Sequence, residues 1–218
     1  MTEQQPIDVR DMAIVHRTFD RVFNESIQHV RAAKSPTPER VTMVADFVDF
    51  GVLMLHDHHE SEDELLYPTL IVRAPDQAAS TEKVEHEHQQ VKDSLDDVTK
   101  ANTAWRAAPT AENGEALAKA IERVVSVLQA HVKDEEDEVV PLAAVTLSQK
   151  EWDAIGTRAV ASIPKKWKPV AFGILLEPLS ASDQALMKSK LPPPVRLLYP
   201  ILIDRPWKKY AATLRSRP

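Results

Sequence analysis

HHESEDELLYP, residues 58–68, returns later in the chain as HVKDEEDEVVP, residues 131–141. Both stretches follow one frame: a histidine, a glutamate four positions on, then a proline six positions after the glutamate. In a helix, four positions bring two side chains to one face about one turn apart, so His58 with Glu62 and His131 with Glu135 can each grip a single ion. The proline marks where each helix is disturbed, because it donates no backbone N–H and its ring crowds the preceding turn.

Working outward, apolar residues recur at steps of three and four from residue 8 to 140, the period of amphipathic helices. Met12, His16, Phe19, Phe23, Ile27 and Val30 form one stripe, ending before Ser35-Pro36-Thr37-Pro38. A second runs from Val44 through Phe47, Gly51, Leu55, His58 and Glu62 to Leu65. A third contains Val84, His88, Val91, Leu95 and Val98 and stops before Pro109; the fourth, with Ile121, Val124, Leu128, His131, Glu135 and Val139, reaches Pro141. The fold class expected is all-α: an up-down antiparallel four-helix bundle over residues 1–145, with a basic, proline-rich helical extension over 146–218 packed on it. In the extension, helices are expected at 149–162, 170–176 and 182–190, before the Pro192-Pro193-Pro194 break.

Hairpin arithmetic places the polar residues at one depth. His16 lies 20 residues before Pro36 and His58 22 after it; His88 lies 21 before Pro109 and His131 22 after it; Glu62 and His88 are each 13 from Pro75. At a rise of about 1.5 Å per residue, mismatches of one or two residues amount to roughly 3 Å or less. His16, His58, Glu62, His88, His131 and Glu135 are therefore candidate metal ligands, since a core that buries such groups must satisfy them. Asp20, four positions after His16, is a candidate to orient its imidazole. The remaining histidines are assigned differently by phase: His56 and His86 fall about 160° from the stripes, His59 about 100°, and His29 has no acid at i+4, so all four are read as solvent or helix-edge residues.

Composition narrows the chemistry. The 218 residues include no cysteine, which removes disulfides, thiolate sites and iron–sulfur clusters and leaves nitrogen and oxygen donors. The net charge of −6 conceals a division, with −14 over residues 1–145 and +8 over 146–218. Met1 to Asp11 lacks a basic segment followed by an apolar one, and no apolar run is long enough to span a bilayer, so a cytoplasmic protein is expected. No phosphate-binding loop or nucleophile elbow is present, and the ferritin-type Glu-xx-His spacing occurs once, at Glu85 and His88. No nucleic-acid partner is expected. Lys165, Lys166, Lys168, Lys208, Lys209, Arg215 and Arg217, among tryptophans, leave open a contact of the tail with an anionic membrane surface or another protein.

The ordered set His16, His58-xxx-Glu62, His88, His131-xxx-Glu135 resembles the hemerythrin-like family of HHE cation-binding domains, bacterial type, over about two-thirds of the chain. That resemblance implies two iron ions, oxo- or hydroxo-bridged, with Glu62 and Glu135 bridging, His16 and His58 on one iron, and His88 and His131 on the other. The donor set alone would also accept manganese or zinc. Oxygen-carrying hemerythrins have a further histidine four positions after the third-helix one, where this chain has Lys92. The vacated place is expected to go to water, an exogenous ligand or Glu85, which favours catalase- or peroxidase-like turnover, or sensing, of dioxygen, peroxide or nitric oxide over oxygen carriage. The alternative is a non-enzymatic metal-binding or redox-sensing module acting through a partner.

Overall fold

The computed structural model describes residues 6–216; Arg217 of the basic tail and the first five residues of the chain lie outside them. The described residues form helices joined by short connections, with no strand among them, and they divide into two compact units, one ending at Ser162 and one beginning at Ile163.

The first unit is built on four long helices: α1 (Arg10–Ala32), α2 (Pro38–Leu65), α4 (Ala78–Ala107) and α5 (Ala111–Asp134). Two of them begin on a threonine cap. The Thr37 side chain accepts from the Arg40 N–H with Pro38 in the first turn, and Thr110 accepts from the Asn113 N–H. Packing pairs α1 with α2, α2 with α4, α4 with α5 and α5 with α1, which closes a ring. Ion pairs fix the sense of three of these four contacts. Arg31, late in α1, meets Glu115 and Glu122 early in α5, and Arg106, late in α4, meets Asp46 and Asp49 early in α2. Lys83, early in α4, meets Asp134 at the end of α5, so these neighbours are antiparallel.

The prolines of the repeated frame both leave their mark. Before Pro68, α2 is interrupted at Leu66 and resumes as α3 (Tyr67–Arg73). Before Pro141, the chain widens into a π-helical turn at Glu135–Val139 and continues as α6 (Val140–Thr146). With no N–H at Pro141, the carbonyl ladder is locally rearranged, and such widened turns concentrate at functional sites. α7 (Gln149–Ser162) packs on α2, with the Trp152 indole donating to Asp11 at 2.9 Å and Arg158 bonded to Glu64 at 2.8 Å.

Two apolar clusters fill this unit. One contains Phe19, Leu55, Val91 and Leu128; the other contains Met12, Leu66, Val84 and Val139. Each polar residue of the expected layer falls, along its own helix, between a member of one cluster and a member of the other. His16 sits between Met12 and Phe19, His58 and Glu62 between Leu55 and Leu66, His88 between Val84 and Val91, and His131 and Glu135 between Leu128 and Val139.

The second unit contains α8 (Lys168–Leu176), α9 (Ala181–Ser189), α10 (Pro193–Leu197), a π-helical turn at Pro200–Asp204 and α11 (Arg205–Arg215). Its core is Val170, Ile174, Leu176, Ile203, Trp207 and Leu214, with Gly173 placed directly beneath the Trp207 ring. Several of the basic residues are engaged: Arg215 grips both oxygens of Glu177, Lys208 pairs with Asp204 at 2.8 Å, and Lys166 lies over the Trp167 ring. Helices beyond residue 193 were not expected from the sequence, because three prolines in succession read as a break. Instead Pro193 and Pro194 occupy the opening positions of α10, where a missing N–H costs nothing. No helix of the described residues is long and apolar enough to cross a membrane.

Candidate metal centre

All six residues singled out from the sequence are buried and meet between the two apolar clusters. Nε2 of His16, His58, His88 and His131, both oxygens of Glu62 and Oε2 of Glu135 are sealed from solvent without a hydrogen-bond partner. Leaving a buried polar atom unpaired costs on the order of 1–3 kcal/mol, and seven in one place call for a further partner.

These atoms are spaced as ligands around ions would be. His16 Nε2 lies 3.2 Å from Glu135 Oε2, and His58 Nε2 lies 3.2 Å from Glu62 Oε1. His131 Nε2 is 3.7 Å from Glu135 Oε2, and His88 Nε2 is 3.9 Å from Glu62 Oε2. Two donors at right angles on one ion, each bound at about 2.1 Å, stand roughly 3 Å apart. Glu62 thus turns one oxygen toward His58 and the other toward His88. Glu135 offers a single oxygen to both His16 and His131, because its Oε1 accepts a hydrogen bond from the Tyr67 hydroxyl at 3.1 Å.

The donors fall into two groups, each with ligand atoms within 4.8 Å of one another: His16, His58, Glu62 and Glu135, and His59, His88 and His131. His59 corrects the phase argument, which put it at solvent or at a helix edge. It is only 6% exposed, and its ring stacks on His88 with centroids 4.0 Å apart and meets His131 edge-on at 5.0 Å. The cause is geometric. A helix in a closed ring of four touches two neighbours, so its buried arc is wider than one stripe, and 100° from His58 is the flank of α2 that faces α4. Of the other three histidines, His56 and His86 are exposed and His29 is half-buried beside Arg40 and Glu25. Glu85 joins neither group; it lines a cleft between α2 and α4.

Carboxylates orient the rings from outside. His88 Nδ1 donates to Asp63 at 2.6 Å, His16 Nδ1 to Glu136 at 2.8 Å, and His131 Nδ1 faces Glu87 at 3.4 Å. Since a carboxylate accepts, each such bond fixes the proton on Nδ1 and turns the Nε2 lone pair inward, the tautomer a metal requires. Glu136, not Asp20, performs this for His16; Asp20 instead accepts from Gln129 at 3.1 Å. The sequence carried a signal for these supports, because an acid follows the inward glutamate in both copies of the frame: Asp63 after Glu62, and Glu136 after Glu135.

Electrostatics of the protein without metal divide the groups. Burial opposes the charged form of His16, but Glu135 and Glu136 outweigh it and its pKa rises to about 9. Burial would likewise raise Glu135, yet His16, His131 and His58 hold it at about 2. Burial drives His58 and His59 well below the usual imidazole range and His131 down to about 4. Burial, with Glu135 and Asp63 as neighbours, pushes Glu62 well above the carboxylate range, and the Tyr67 phenol is raised by the same causes. Nitrogen and carboxylate oxygen, pre-aimed and shielded from water, make a donor set that fits first-row divalent or trivalent ions such as iron.

A family model described as the hemerythrin HHE cation-binding domain matches residues 8–143, well over half the chain and all the residues of both donor groups. Comparison with curated proteins and with solved structures gave no match.

Proposed function

The chain belongs to the hemerythrin family of HHE cation-binding domains, and from that premise we propose that it is a non-haem diiron protein reacting with dioxygen, peroxide or nitric oxide. In this reading His16 and His58 hold one ion, His59, His88 and His131 hold the other, and Glu62 and Glu135 lie between them. Bound iron would supply the electrons for reducing such small oxidants. The observation that supports the reading most directly is the set of seven sealed, partnerless nitrogen and oxygen atoms on four helices, all facing one another.

The protein's own groups then have definable tasks. Glu62, with both oxygens free, can serve both halves at once, whereas Glu135 is held to one oxygen by Tyr67. The phenol also places a neutral O–H donor beside the centre, able to hold a proton 3.1 Å from Glu135 Oε1. Phe19, its ring 5.0 Å from that of His58, and the cluster above it keep bulk water from that side. His59 supplies the third imidazole that Lys92 cannot, which makes the second half rich in neutral nitrogen and the first rich in carboxylate.

Protein purified in air without chelator should contain two iron ions per chain and show an ultraviolet absorption that changes on adding peroxide or, after reduction, nitric oxide. His59→Leu should hold fewer than two. Purified protein without bound metal, or an iron-loaded form whose spectrum ignores all three oxidants, overturns the proposal.

A further inference from the structure

Between α2 and α4 lies a cleft of about 350 Å³ whose lining includes His59 and His88. It joins two residues of the second donor group to exposed side chains of both helices. His59, 6% exposed, has no hydrogen-bond partner among the described residues. The outer walls carry residues the metal centre does not use: His56 and Glu60 from α2, and Glu85 and His86 from α4.

The charge of this cleft selects what enters. Glu60, Asp63 and Glu85 face a single cation, Lys92, so it favours a positive ion over an anionic substrate. Its histidines are suited to hold such an ion in passing. His86 Nδ1 is 2.8 Å from the Glu82 carbonyl, which can only accept, so the proton sits on Nδ1 and Nε2 keeps its lone pair. His56 stands four positions before Glu60, the spacing at which an imidazole and a carboxylate share one helix face.

We propose that the α2/α4 cleft is the loading route for a divalent metal ion. His56, Glu60, Glu85 and His86 capture the hydrated ion at the mouth, and His59 is the first buried nitrogen to replace its water on the way to His88 and His131. The inference rests on the metal centre proposed above, and its test separates the two. No bond other than metal–ligand exchange is made or broken, and no electron moves.

Metal-free full-length protein is mixed anaerobically with ferrous ion at low ionic strength, and unbound iron is trapped at successive times with a coloured chelator. Glu60→Gln/Glu85→Gln should load ~tenfold more slowly, in keeping with electrostatic steering of on-rates. His56→Ala/His86→Ala, which leaves the carboxylates in place, should also load several-fold more slowly, and Lys92→Glu faster, while all reach the wild-type iron content. Loading of the His56→Ala/His86→Ala protein at the wild-type rate overturns the route while leaving the centre intact. Wild-type protein that takes up no iron overturns the centre itself.

Discussion

Stripping the metal should leave a bundle whose stability peaks near pH 6.5 and falls on both sides, and reloading it should remove the alkaline fall. On that side two groups act in the same direction. His16 keeps its proton in the folded protein up to about pH 9, whereas in the unfolded chain it loses it near 6.5. Its contribution is therefore complete below pH 6.5 and disappears as pH rises through about 9. At about 1.4 kcal/mol for each pH unit separating the folded and unfolded values, that is about 3 kcal/mol. Glu62, whose folded pKa is raised, adds a loss that begins above the ordinary carboxylate value of 4.5. On the acid side His131, held down at about 4, stays neutral while the unfolded chain takes up a proton below 6.5. That costs about 3 kcal/mol by pH 4 on the same arithmetic, and His58 and His59 add losses of the same sign. Between 4.5 and 6.5 the three histidines outweigh Glu62, which sets the maximum.

The measurement is urea unfolding followed by circular dichroism at pH 5, 6.5 and 8.5, with metal-free and iron-loaded protein in parallel so that titrations elsewhere cancel in the difference. In the proposed centre iron would be held by His16 Nε2 and Glu62 in place of protons, so the loaded protein should not weaken between pH 6.5 and 8.5 as the stripped one does. A stripped protein equally stable at pH 6.5 and 8.5 would show that His16 is not held charged by Glu135 and Glu136, and the electrostatic account of the empty core would be wrong.

Three further outcomes follow from particular contacts. Asp63→Asn and Glu136→Gln should each weaken iron binding about tenfold to a hundredfold in chelator competition, whereas Glu87→Gln, at 3.4 Å from its histidine, should change it least; equal effects from all three would refute the orienting role. Tyr67→Phe should lower the urea stability of the metal-free protein by about 2 kcal/mol, because a buried carboxylate oxygen loses its donor; an unchanged midpoint would mean that the 3.1 Å bond contributes nothing. Gly173→Ala would set a methyl 2.1 Å from Trp207 Cγ, so the second unit should loosen by about 1–3 kcal/mol and be cut faster by trypsin while the helical signal of the first unit persists; wild-type resistance would contradict that packing.

Much of the centre was legible because helix geometry converts sequence distance into depth. Near-equal spacing from Pro36, Pro75 and Pro109 put His16, His58, Glu62, His88 and His131 in one layer, the i+4 frame added Glu135, and the structure brings the six together there. Phase was less informative than depth. It separated His56 and His86 from the core correctly but misplaced His59, since an angle measured from one stripe says nothing about the second neighbour a helix acquires in a ring. Asp63 and Glu136 escaped notice for a related reason. Residues that bond a ligand from outside sit partly in water, and within runs such as Asp134–Glu138 they look like any solvated acidic face. The helices after Pro192 were missed because proline serves equally to end a helix and to begin one.

The two copies share the His-xxx-Glu-acid frame and its proline, and one of the departures between them bears on an asymmetry of the centre. Before Pro68 stands Tyr67; the matching residue before Pro141 is Val140. Tyr67 reaches across to Glu135 and occupies one of its oxygens, while Val140 has no hydroxyl to offer Glu62, whose two oxygens both remain without a donor. The two glutamates also differ electrostatically in the empty protein. Glu135, against the pull of burial, is held at about 2 by His16, His131 and His58, whereas burial, with Glu135 and Asp63 beside it, pushes Glu62 well above the carboxylate range. A metal ion arriving from the His59 side would therefore find one carboxylate that gives up its proton readily and one that holds it more tightly.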